Sequence, residues 1–472
     1  MHSEDARQWV HVGSGLFALL LRALTPWQAS GLAAFALVFN ALALPRVGGR
    51  RLYRPMDEAR GFPLGILLYP LAVLLLTLIF PTRPDITAGA WGIMAFGDGA
   101  ATLVGRRVSR LTPENGRNAE KQDFSAISAH SAVKRGQGRL PWNPDKSVAG
   151  TLAFIVFGGF GGVALALWAR PAAVPLQPAS FTIAGTLAAA VVAAFIETLP
   201  VRLDDNLSVP ASAAATLWIA SLMDGASFEA ARPALVVSLP WALGVNAVAS
   251  WLGYRAGTVS RSGAIAGAIV GIVIYCGGGG RAWALLFATF LAATITSRLG
   301  LKRKALLGIA EARSGRRGAG NAIANCGIAA TAAAAAVATP HATAALLAMA
   351  AALTAGGSDT VASEIGKAWG KRTFLVTTFR RVPPGTSGAI SGEGTIAGIV
   401  SAALLGALAA WLTLIPASWL VAVVVAATIA SMVESFLGAT LEGPGILDNH
   451  ALNFINSAIG AGLAVLAVRI IS

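Results

Sequence analysis

Long apolar segments recur along almost the whole chain, separated by short polar or basic loops. The 472 residues are 55% hydrophobic and only 12% charged, whereas a soluble domain carries about 25% charged residues. An apolar helix needs about 20 residues to cross a bilayer, and at that length the apolar segments allow about fifteen spans. Backbone groups find no partners in lipid, so spans of this length must be helical. The sequence therefore predicts an all-α integral membrane protein with about 15 transmembrane helices.

The distribution of positive charge predicts how these spans are oriented. The formal net charge is +14, and most Lys and Arg side chains fall in alternate loops when the N-terminus is placed in the cytosol. That asymmetry follows the positive-inside rule. The basic residues are not interleaved with aromatic residues, which argues against nucleic acid as a partner. We expect a protein of a bacterial inner membrane, with the lipid bilayer around it and its N-terminus in the cytosol. The predicted spans include 262–280, 282–299 and 342–357.

A set of polar residues occurs in the same order in each half of the chain. The first half carries an acid, a lysine, a second acid and an acid–amide pair, namely Asp98, Lys146, Glu197, Asp205 and Asn206. The second half carries a comparable set, namely Asp359, Glu393, Glu434, Asp448 and Asn449. Carboxylates are costly in lipid and persist there mainly for function. We predict two related helical-bundle halves, 1–253 and 254–472, each with a site at the cytosolic ends of its helices.

The residue types in each set suit phosphoryl transfer. Such a site positions the reactants and surrounds phosphate oxygens with positive charge. Mg²⁺ is usually held by one or two carboxylates together with the phosphates of the substrate. The predicted Mg²⁺ ligands are Asp98, Glu197, Asp205, Asp359, Glu364, Glu434 and Asp448. The residues predicted to be catalytic are Asp98, Lys146, Glu197, Asp205, Asp359 and Glu434.

Further residues are predicted to bind the phosphoryl donor, a nucleoside triphosphate. Glycine lets the backbone approach phosphate oxygens closely, and Lys or Arg supplies positive charge. The candidates in the first half are Gly97, Gly99, Gly105, Arg106, Arg107 and Asn206. The candidates in the second half are Arg317, Asn325, Lys367, Lys371, Arg380, Arg381, Gly385, Thr386, Ser387, Gly388 and Asn449. A basic loop at 105–147 adds positive charge near the first site.

Two other functions remain open from these residues. Repeated halves with intramembrane acids also occur in transporters, so a lipid-phosphate transporter or flippase is one alternative. Transport sites lie near the bilayer midplane, however, whereas these acids lie near one face. A cytidylyltransferase that forms a CDP-lipid is the second alternative, since its chemistry is close to that of a kinase. The residues alone predict two membrane phosphoryl-transfer sites.

Residues 1 to about 225 resemble the phytol kinase and dolichol kinase family of CTP-dependent polyprenol kinases. The motifs that carry the resemblance are Gln8-Trp9-Val10-His11, Phe96-Gly97-Asp98-Gly99-Ala100-Ala101, Lys146-Ser147-Val148-Ala149-Gly150 and Glu197-Thr198-Leu199-Pro200. Many relatives carry an acid where this chain has Ala149. The resemblance implies phosphorylation of a long isoprenoid alcohol, such as phytol, to its monophosphate, with CTP or another nucleoside triphosphate as donor and Mg²⁺ as cofactor.

Residues from about 255 to 472 resemble a membrane family that includes plant phytyl-phosphate kinase. The motifs are Arg317-Gly318-Ala319-Gly320-Asn321, Ser358-Asp359-Thr360-Val361-Ala362-Ser363-Glu364, Glu434-Ser435-Phe436-Leu437-Gly438 and Asp448-Asn449-His450-Ala451-Leu452-Asn453. Glu434 stands where Asp is usual in that family, and His450 stands where a second acid is common. This resemblance implies phosphorylation of the isoprenyl monophosphate to the diphosphate. Together the two resemblances imply a bifunctional isoprenoid kinase in a salvage route for prenyl lipids.

Overall fold

Helices make up nearly all of the structure. The computed structural model describes residues 3–47, 62–111, 138–140, 143–172, 177–199, 204–309, 316–443 and 445–471. Within those ranges, the strands form two short antiparallel β-hairpins. The predicted all-α membrane fold is therefore confirmed. The central part of the predicted basic loop, 112–137, and Pro200 lie outside the described residues.

Contacts between helices divide the chain into two compact units, residues 1–221 and 222–472. The helices of the first unit are α1 (Ser3–Ser14), α2 (Pro26–Leu42), α3 (Leu64–Ile79), α4 (Pro84–Gly92), α5 (Gly99–Leu111), α6 (Val148–Ala153), α7 (Gly159–Trp168), α8 (Ala179–Thr198) and α9 (Asp205–Leu222). A 3₁₀ turn, Gly15–Arg22, follows α1. One π-helical turn, Ile93–Asp98, joins α4 to α5, and a second, Phe154–Gly158, joins α6 to α7. The strands are β1 (Arg139–Leu140) and β2 (Asn143–Ser147).

The second unit is built in a similar way from longer helices. These are α10 (Gly225–Arg255), α11 (Arg261–Arg298), α12 (Leu301–Leu306), α13 (Ala319–Ala338), α14 (Ala342–Trp369), α15 (Gly392–Trp411), α16 (Leu420–Leu437) and α17 (Asn449–Ile471), with the strands β3 (Thr373–Leu375) and β4 (Ala389–Ser391). A π-helical turn, Gly438–Glu442, extends α16. By its contacts α10 belongs to this unit. The division into related halves at residues 253 and 254 stays a prediction.

Nine stretches of the described chain are long and apolar enough to cross a membrane. They are Val148–Trp168, Ala179–Thr198, Gly225–Arg255, Arg261–Arg298, Ala319–Ala338, Ala342–Trp369, Gly392–Trp411, Ala417–Glu442 and Asn449–Ile471. The 38 residues of α11 would measure about 57 Å as a straight helix, but the chain kinks at Gly279, where φ is +70°. The sequence places the boundary between two spans at this point.

One helix continues beyond its predicted span. The predicted span is 342–357 and the sequence turns polar at Ser358, but α14 continues to Trp369. Its polar second half includes the buried side chains of Ser358 and Glu364. Packing against neighbouring helices thus sustains the helix through residues that would end an isolated apolar segment.

An arrangement of helix, β-hairpin and helix occurs once in each unit. The strands β1 and β2 connect α5 to α6, and β3 and β4 connect α14 to α15. In both hairpins the second strand ends in a serine that caps the next helix. Oγ of Ser147 accepts a hydrogen bond from the N–H of Gly150 at 3.1 Å, and Oγ of Ser391 accepts one from the N–H of Gly394 at 3.1 Å. Such a cap satisfies a backbone donor that the helix itself leaves unpaired.

The capped helix packs closely on the helix that precedes the hairpin. A Cβ added at Gly150 would lie 3.0 Å from the carbonyl oxygen of Ala101, and one at Gly394 would lie 2.7 Å from that of Ala362. Each alanine lies three residues beyond the first acid of its polar set. The contact therefore holds that acid at a fixed height relative to the hairpin in both units.

We expect Gly394→Ala to lower the thermal unfolding temperature. The added methyl group would meet the backbone carbonyl of Ala362, and overpacking of this kind costs about 1–3 kcal/mol. Gly392→Ala is the matched control, because nothing lies within 4 Å of a Cβ there. The measurement is thermal unfolding of detergent-solubilised protein, followed by tryptophan fluorescence. An equal decrease in both variants would contradict the close contact at Gly394.

Candidate active sites

Three carboxylates meet at one end of the helices of the first unit. Asp98 ends the π-helical turn before α5, Glu197 lies in the last turn of α8, and Asp205 begins α9. One oxygen from each lies within 4.8 Å of the others. Oxygens that share an octahedral Mg²⁺ ion stand about 3–4 Å apart, so small side-chain movements would bring these three onto one ion. Glu197 is 4% exposed, which distinguishes the cluster from solvated surface acids.

Lys146 supplies positive charge to this acidic cluster. Its Nζ donates hydrogen bonds to Glu197 and, at 3.1 Å, to Asp205. Burial lowers the pKa of Lys146, but the charges of Asp205, Glu197 and Asp98 outweigh burial and raise that pKa above its ordinary value. Burial raises the pKa of Asp205 to about 7, although Lys146 acts in the opposite direction. Because three acids share one ammonium group, the cluster can accept a further cation.

A histidine of α1 extends the first site. Nε2 of His11 lies 3.6 Å from Oδ2 of Asp98. The imidazole ring packs edge-on against Tyr69, with the ring centroids 4.8 Å apart. His11 belongs to a motif that carries the family resemblance, but it is not among the predicted site residues. Its proximity to Asp98 depends on how α1 packs, which the sequence does not reveal.

Most of the other residues predicted for the first site lie close to Asp98 in the sequence. Gly97 and Gly99 flank it, and Gly105 packs beside Ser147, whose Oγ would lie 3.2 Å from an added Cβ. Arg106 and Arg107 follow on α5 towards the hairpin. Asn206 does not join the acids. Its Nδ2 donates to Asp204 at 2.8 Å.

The second unit encloses a cavity of about 440 Å³, a volume in the range typical of ligand pockets. The cavity contains most of the site residues predicted for this half. Those that line it are Arg317, Asn325, Asp359, Glu364, Lys367, Gly385, Thr386, Ser387, Gly388, Glu434 and Asn449. Glycines, hydroxyl groups and cationic side chains thus line the same cavity as Asp359 of α14 and Glu434 of α16.

Asp359 and Glu434 form the acidic centre of this cavity. Their carboxyl groups interact directly, and Asp359 accepts a hydrogen bond from Oγ of Ser431 at 2.6 Å. Among the described residues, Oε2 of Glu434 and Oδ1 of Asn325 are buried without a hydrogen-bond partner. Carboxylate and amide oxygens are ligands that Mg²⁺ accepts, so this centre fits a divalent cation. Ser431 was not predicted, because one serine in an apolar helix carries no distinguishing signal.

A buried ion pair supports one wall of the cavity. Lys304 is 1% exposed, and its Nζ donates to Oε2 of Glu364 at 2.6 Å and to the carbonyl of Ser297 at 2.7 Å. Oε1 of Glu364 accepts from Lys367 at 2.9 Å. As a Mg²⁺ ligand, Glu364 would first have to leave one of these lysines. Lys304 was not predicted, because a lysine in a basic loop is typical of positive-inside charge.

Four predicted residues of the second unit do not line the cavity. They are Lys371, Arg380, Arg381 and Asp448. Arg380 and Arg381 are exposed between β3 and β4. The backbone N–H of Lys371 donates to Glu393 at 3.3 Å. Oδ1 of Asp448 caps α17 by accepting from the N–H of Ala451 at 2.9 Å.

The sequence motif aligns Asp205-Asn206 with Asp448-Asn449, but the starts of α9 and α17 show a different alignment. The backbone carbonyl of Asp204 accepts from Ser208 at the start of α9, as that of Asp448 accepts from Leu452 at the start of α17. Asp205 therefore corresponds in position to Asn449, one residue away from the pairing that the sequence motif suggests. The second site consequently has an amide where the first has a carboxylate.

Comparisons with known proteins identify relatives of this chain. A family model described as "Integral membrane protein DUF92" matches residues 244–461. An uncharacterized membrane protein of Synechocystis sp. is 39% identical over 200 residues, which cover 42% of this chain and 78% of that protein. "Protein VTE6, chloroplastic" of Arabidopsis thaliana is 34% identical over 220 residues, 45% of this chain and 66% of that protein.

"Phytol kinase 1, chloroplastic" of Arabidopsis thaliana is 28% identical over 217 residues, which cover 43% of this chain and 62% of that protein. The chain thus spans a little less than two thirds of each of these two plant relatives. No solved structure matches.

We expect Lys304→Met to lower the free energy of unfolding by about 3–5 kcal/mol, because it leaves the buried charge of Glu364 with a single counter-charge. Lys302→Met is the matched control, since Lys302 is exposed on the same short helix. Unfolding by denaturant in mixed micelles provides the measurement. The double variant Lys304→Met/Glu364→Gln should recover part of the loss. Equal, small effects of the two lysine variants would contradict the buried pair.

Proposed function

We propose, since this chain belongs to the DUF92 family of integral membrane proteins, that it is a membrane isoprenoid kinase with two phosphoryl-transfer sites. The first unit would phosphorylate phytol or a related isoprenoid alcohol. The second would phosphorylate the resulting monophosphate to the diphosphate. The name of the phytol kinase relative supports an isoprenoid substrate, and the presence of one candidate site in each unit supports two successive steps.

One observation carries this proposal above the others. Asp98, Glu197 and Asp205 converge around the ammonium group of Lys146 in a largely apolar helical unit. A purely structural ion pair would need one acid for one lysine. The surplus of acids suits a site that receives a divalent cation together with phosphate groups.

In the first reaction, the alcohol oxygen attacks the γ-phosphorus of the nucleoside triphosphate. A new P–O bond forms, the bond to the bridging oxygen breaks, and the nucleoside diphosphate leaves with its electron pair. The hydroxyl proton passes to Asp98, which lies beside His11. Lys146 binds a phosphoryl oxygen. Mg²⁺ held by Asp98, Glu197 and Asp205 would supply positive charge to the triphosphate.

In the second reaction, a phosphate oxygen of the isoprenyl monophosphate attacks the γ-phosphorus in the same way. The products are the isoprenyl diphosphate and a nucleoside diphosphate. Asp359, Glu434 and Asn325 would hold Mg²⁺, and Lys367 binds phosphoryl oxygens at the cavity wall. Hydroxyl and backbone groups of 385–388 cradle the remaining phosphates.

The proposal also includes the positions of the substrates and of the two sites relative to the membrane. The isoprenoid tails lie between apolar helices and enter from the bilayer, while the nucleotide enters from water. Both sites are assigned to the cytosolic face, with a cytosolic N-terminus, from the distribution of Lys and Arg. CTP is the proposed donor because the resemblance of the first 225 or so residues is to CTP-dependent enzymes.

Product analysis of single-site variants tests this proposal. Purified protein in nanodiscs is given phytol with CTP or ATP, and lipid products are identified by mass spectrometry. We expect Asp98→Asn to reduce formation of the monophosphate by about 100-fold or more, because it removes a group that accepts the proton and holds the cation. The same variant should still convert added phytyl monophosphate to the diphosphate. Asp359→Asn should do the reverse and accumulate the monophosphate.

Glu229→Gln is the control for these two variants, because Glu229 is exposed and lies outside both sites. Equal loss of both steps in Asp98→Asn and Asp359→Asn would contradict two independent sites. Retention of the cytidylyl group on the lipid would instead identify a cytidylyltransferase. Binding of lipid phosphate without nucleotide turnover would identify a transporter.

A further inference from the structure

The two units can be compared residue by residue where helices begin. A Cβ at Gly65, the second residue of α3, would lie 3.1 Å from Nδ2 of Asn206, the second residue of α9. A Cβ at Gly320, the second residue of α13, would lie 2.9 Å from Nε2 of His450, the second residue of α17. The start of α3 therefore meets α9 as the start of α13 meets α17.

With this alignment, charged residues that occur at equivalent positions in both units can be distinguished from those that occur in one unit. Lys367 lies eight residues beyond Asp359, as Arg106 lies eight residues beyond Asp98, so both units place a cation at this position. Arg317 stands two residues before α13, where the first unit has Phe62 before α3. The cation at position 317 is thus particular to the second unit.

Two further differences cancel each other in charge. Asn449 replaces the carboxylate of Asp205. Ile390 precedes the capping serine where the first unit has Lys146, whose ammonium group is bound to Asp205 and Glu197. At these two positions the second unit thus lacks both an acid and the lysine that compensates it, while its further acid Glu364 is compensated by Lys304 and Lys367. It carries Arg317 in addition.

The guanidinium group of Arg317 is fixed at the cavity wall. Its Nη2 donates to the carbonyl of Ala293 at 3.3 Å and to Oγ of Ser297 at 3.2 Å. Its backbone N–H donates to the carbonyl of Thr258, and its carbonyl accepts from the N–H of Ser260, each at 3.0 Å. Within the described ranges, Nη1 and Nε of this side chain have no protein partner. Those donors remain for a ligand.

We propose that Arg317 binds the phosphate group that the acceptor substrate already carries, and that it thereby selects an isoprenyl monophosphate over an uncharged alcohol. This inference rests on the proposed function. Both reactions use the same donor, so we assign the donor phosphates to the cation that occurs at the same position in both units, Arg106 in the first and Lys367 in the second. Only the second acceptor brings a phosphate monoester, and the second unit has Arg317 at the position where the first has Phe62. With Nη2 bound to protein, Nη1 and Nε can each donate a charge-assisted hydrogen bond to a phosphate oxygen.

The test compares Arg317→Met with Arg317→Lys and with the control Arg316→Met. Arg316 does not line the cavity and lies beside Gly257, so its substitution removes the same charge from a neighbouring position. Nanodiscs of phosphatidylcholine carry the proteins, which leaves added phytyl monophosphate as the phosphate monoester present. Binding of this lipid without nucleotide is measured first, and steady-state kinetics with CTP second. Thermal unfolding of each variant establishes that it is folded.

We expect Arg317→Met to weaken phytyl monophosphate binding and raise its KM by about 30-fold, as loss of a charge-assisted hydrogen-bonded contact predicts. The KM for CTP and the phosphorylation of phytol should stay close to wild type, as they should in Arg316→Met. Arg317→Lys should recover part of the affinity, because it restores the charge but not the hydrogen-bond donors of the guanidinium group.

Specific results would overturn this inference. A rise in the KM for CTP, with unchanged binding of the monophosphate, would assign Arg317 to the donor. Equal weakening of phytol and phytyl monophosphate binding would show a structural role. Failure of the proposed function is distinguishable, because wild-type protein would then bind the monophosphate through Arg317 without phosphorylating it. Turnover by wild type, with normal binding in Arg317→Met, would overturn the inference alone.

Discussion

A carboxylate buried among apolar helices must be compensated by a cation or by hydrogen-bond donors, and this requirement shapes both units. In the first, Lys146 reaches from a β-hairpin to Glu197 and Asp205. In the second, Lys304 and Lys367 enclose Glu364. The compensation is complete around Glu364 and incomplete around Glu434, whose Oε2 has no partner among the described residues. Incomplete compensation marks where a ligand can bind, since an unpaired buried charge is costly.

The helices and the acids could be predicted from the sequence because their signals are local. Apolar length reveals a span, and an acid beside such a span is conspicuous because lipid disfavours it. The partners of the acids could not be predicted, since His11, Ser431 and Lys304 reach them only through tertiary packing. The correspondence of Asp205 with Asn449 could not be predicted for a related reason: the repeated Asp-Asn pair indicates one register, whereas the helix starts show another.

The two units share what both proposed reactions need and differ where their acceptors differ. The serine cap, the close glycine contact and the cation eight residues beyond the first acid occur in both. These features form the framework on which a common donor would bind. Changes at a few positions around that framework then alter the charge of the site without altering the packing of its helices. Such a division lets one architecture serve acceptors of different charge.

The π-helical turns of the first unit restrict the number of residues that these two segments can contain. Each such turn accommodates one residue more than an α-helix, which rotates everything beyond it by about 100°. The turns Ile93–Asp98 and Phe154–Gly158 pack on each other, and a Cβ at Gly158 would lie 3.1 Å from the Cα of Gly97. Losing a single residue from Ile93–Asp98 would rotate Asp98 away from the other acids of its site while changing the hydropathy little. Insertions and deletions should therefore be rare in Ile93–Asp98, and homologous chains should keep the length of this segment constant even where its side chains differ.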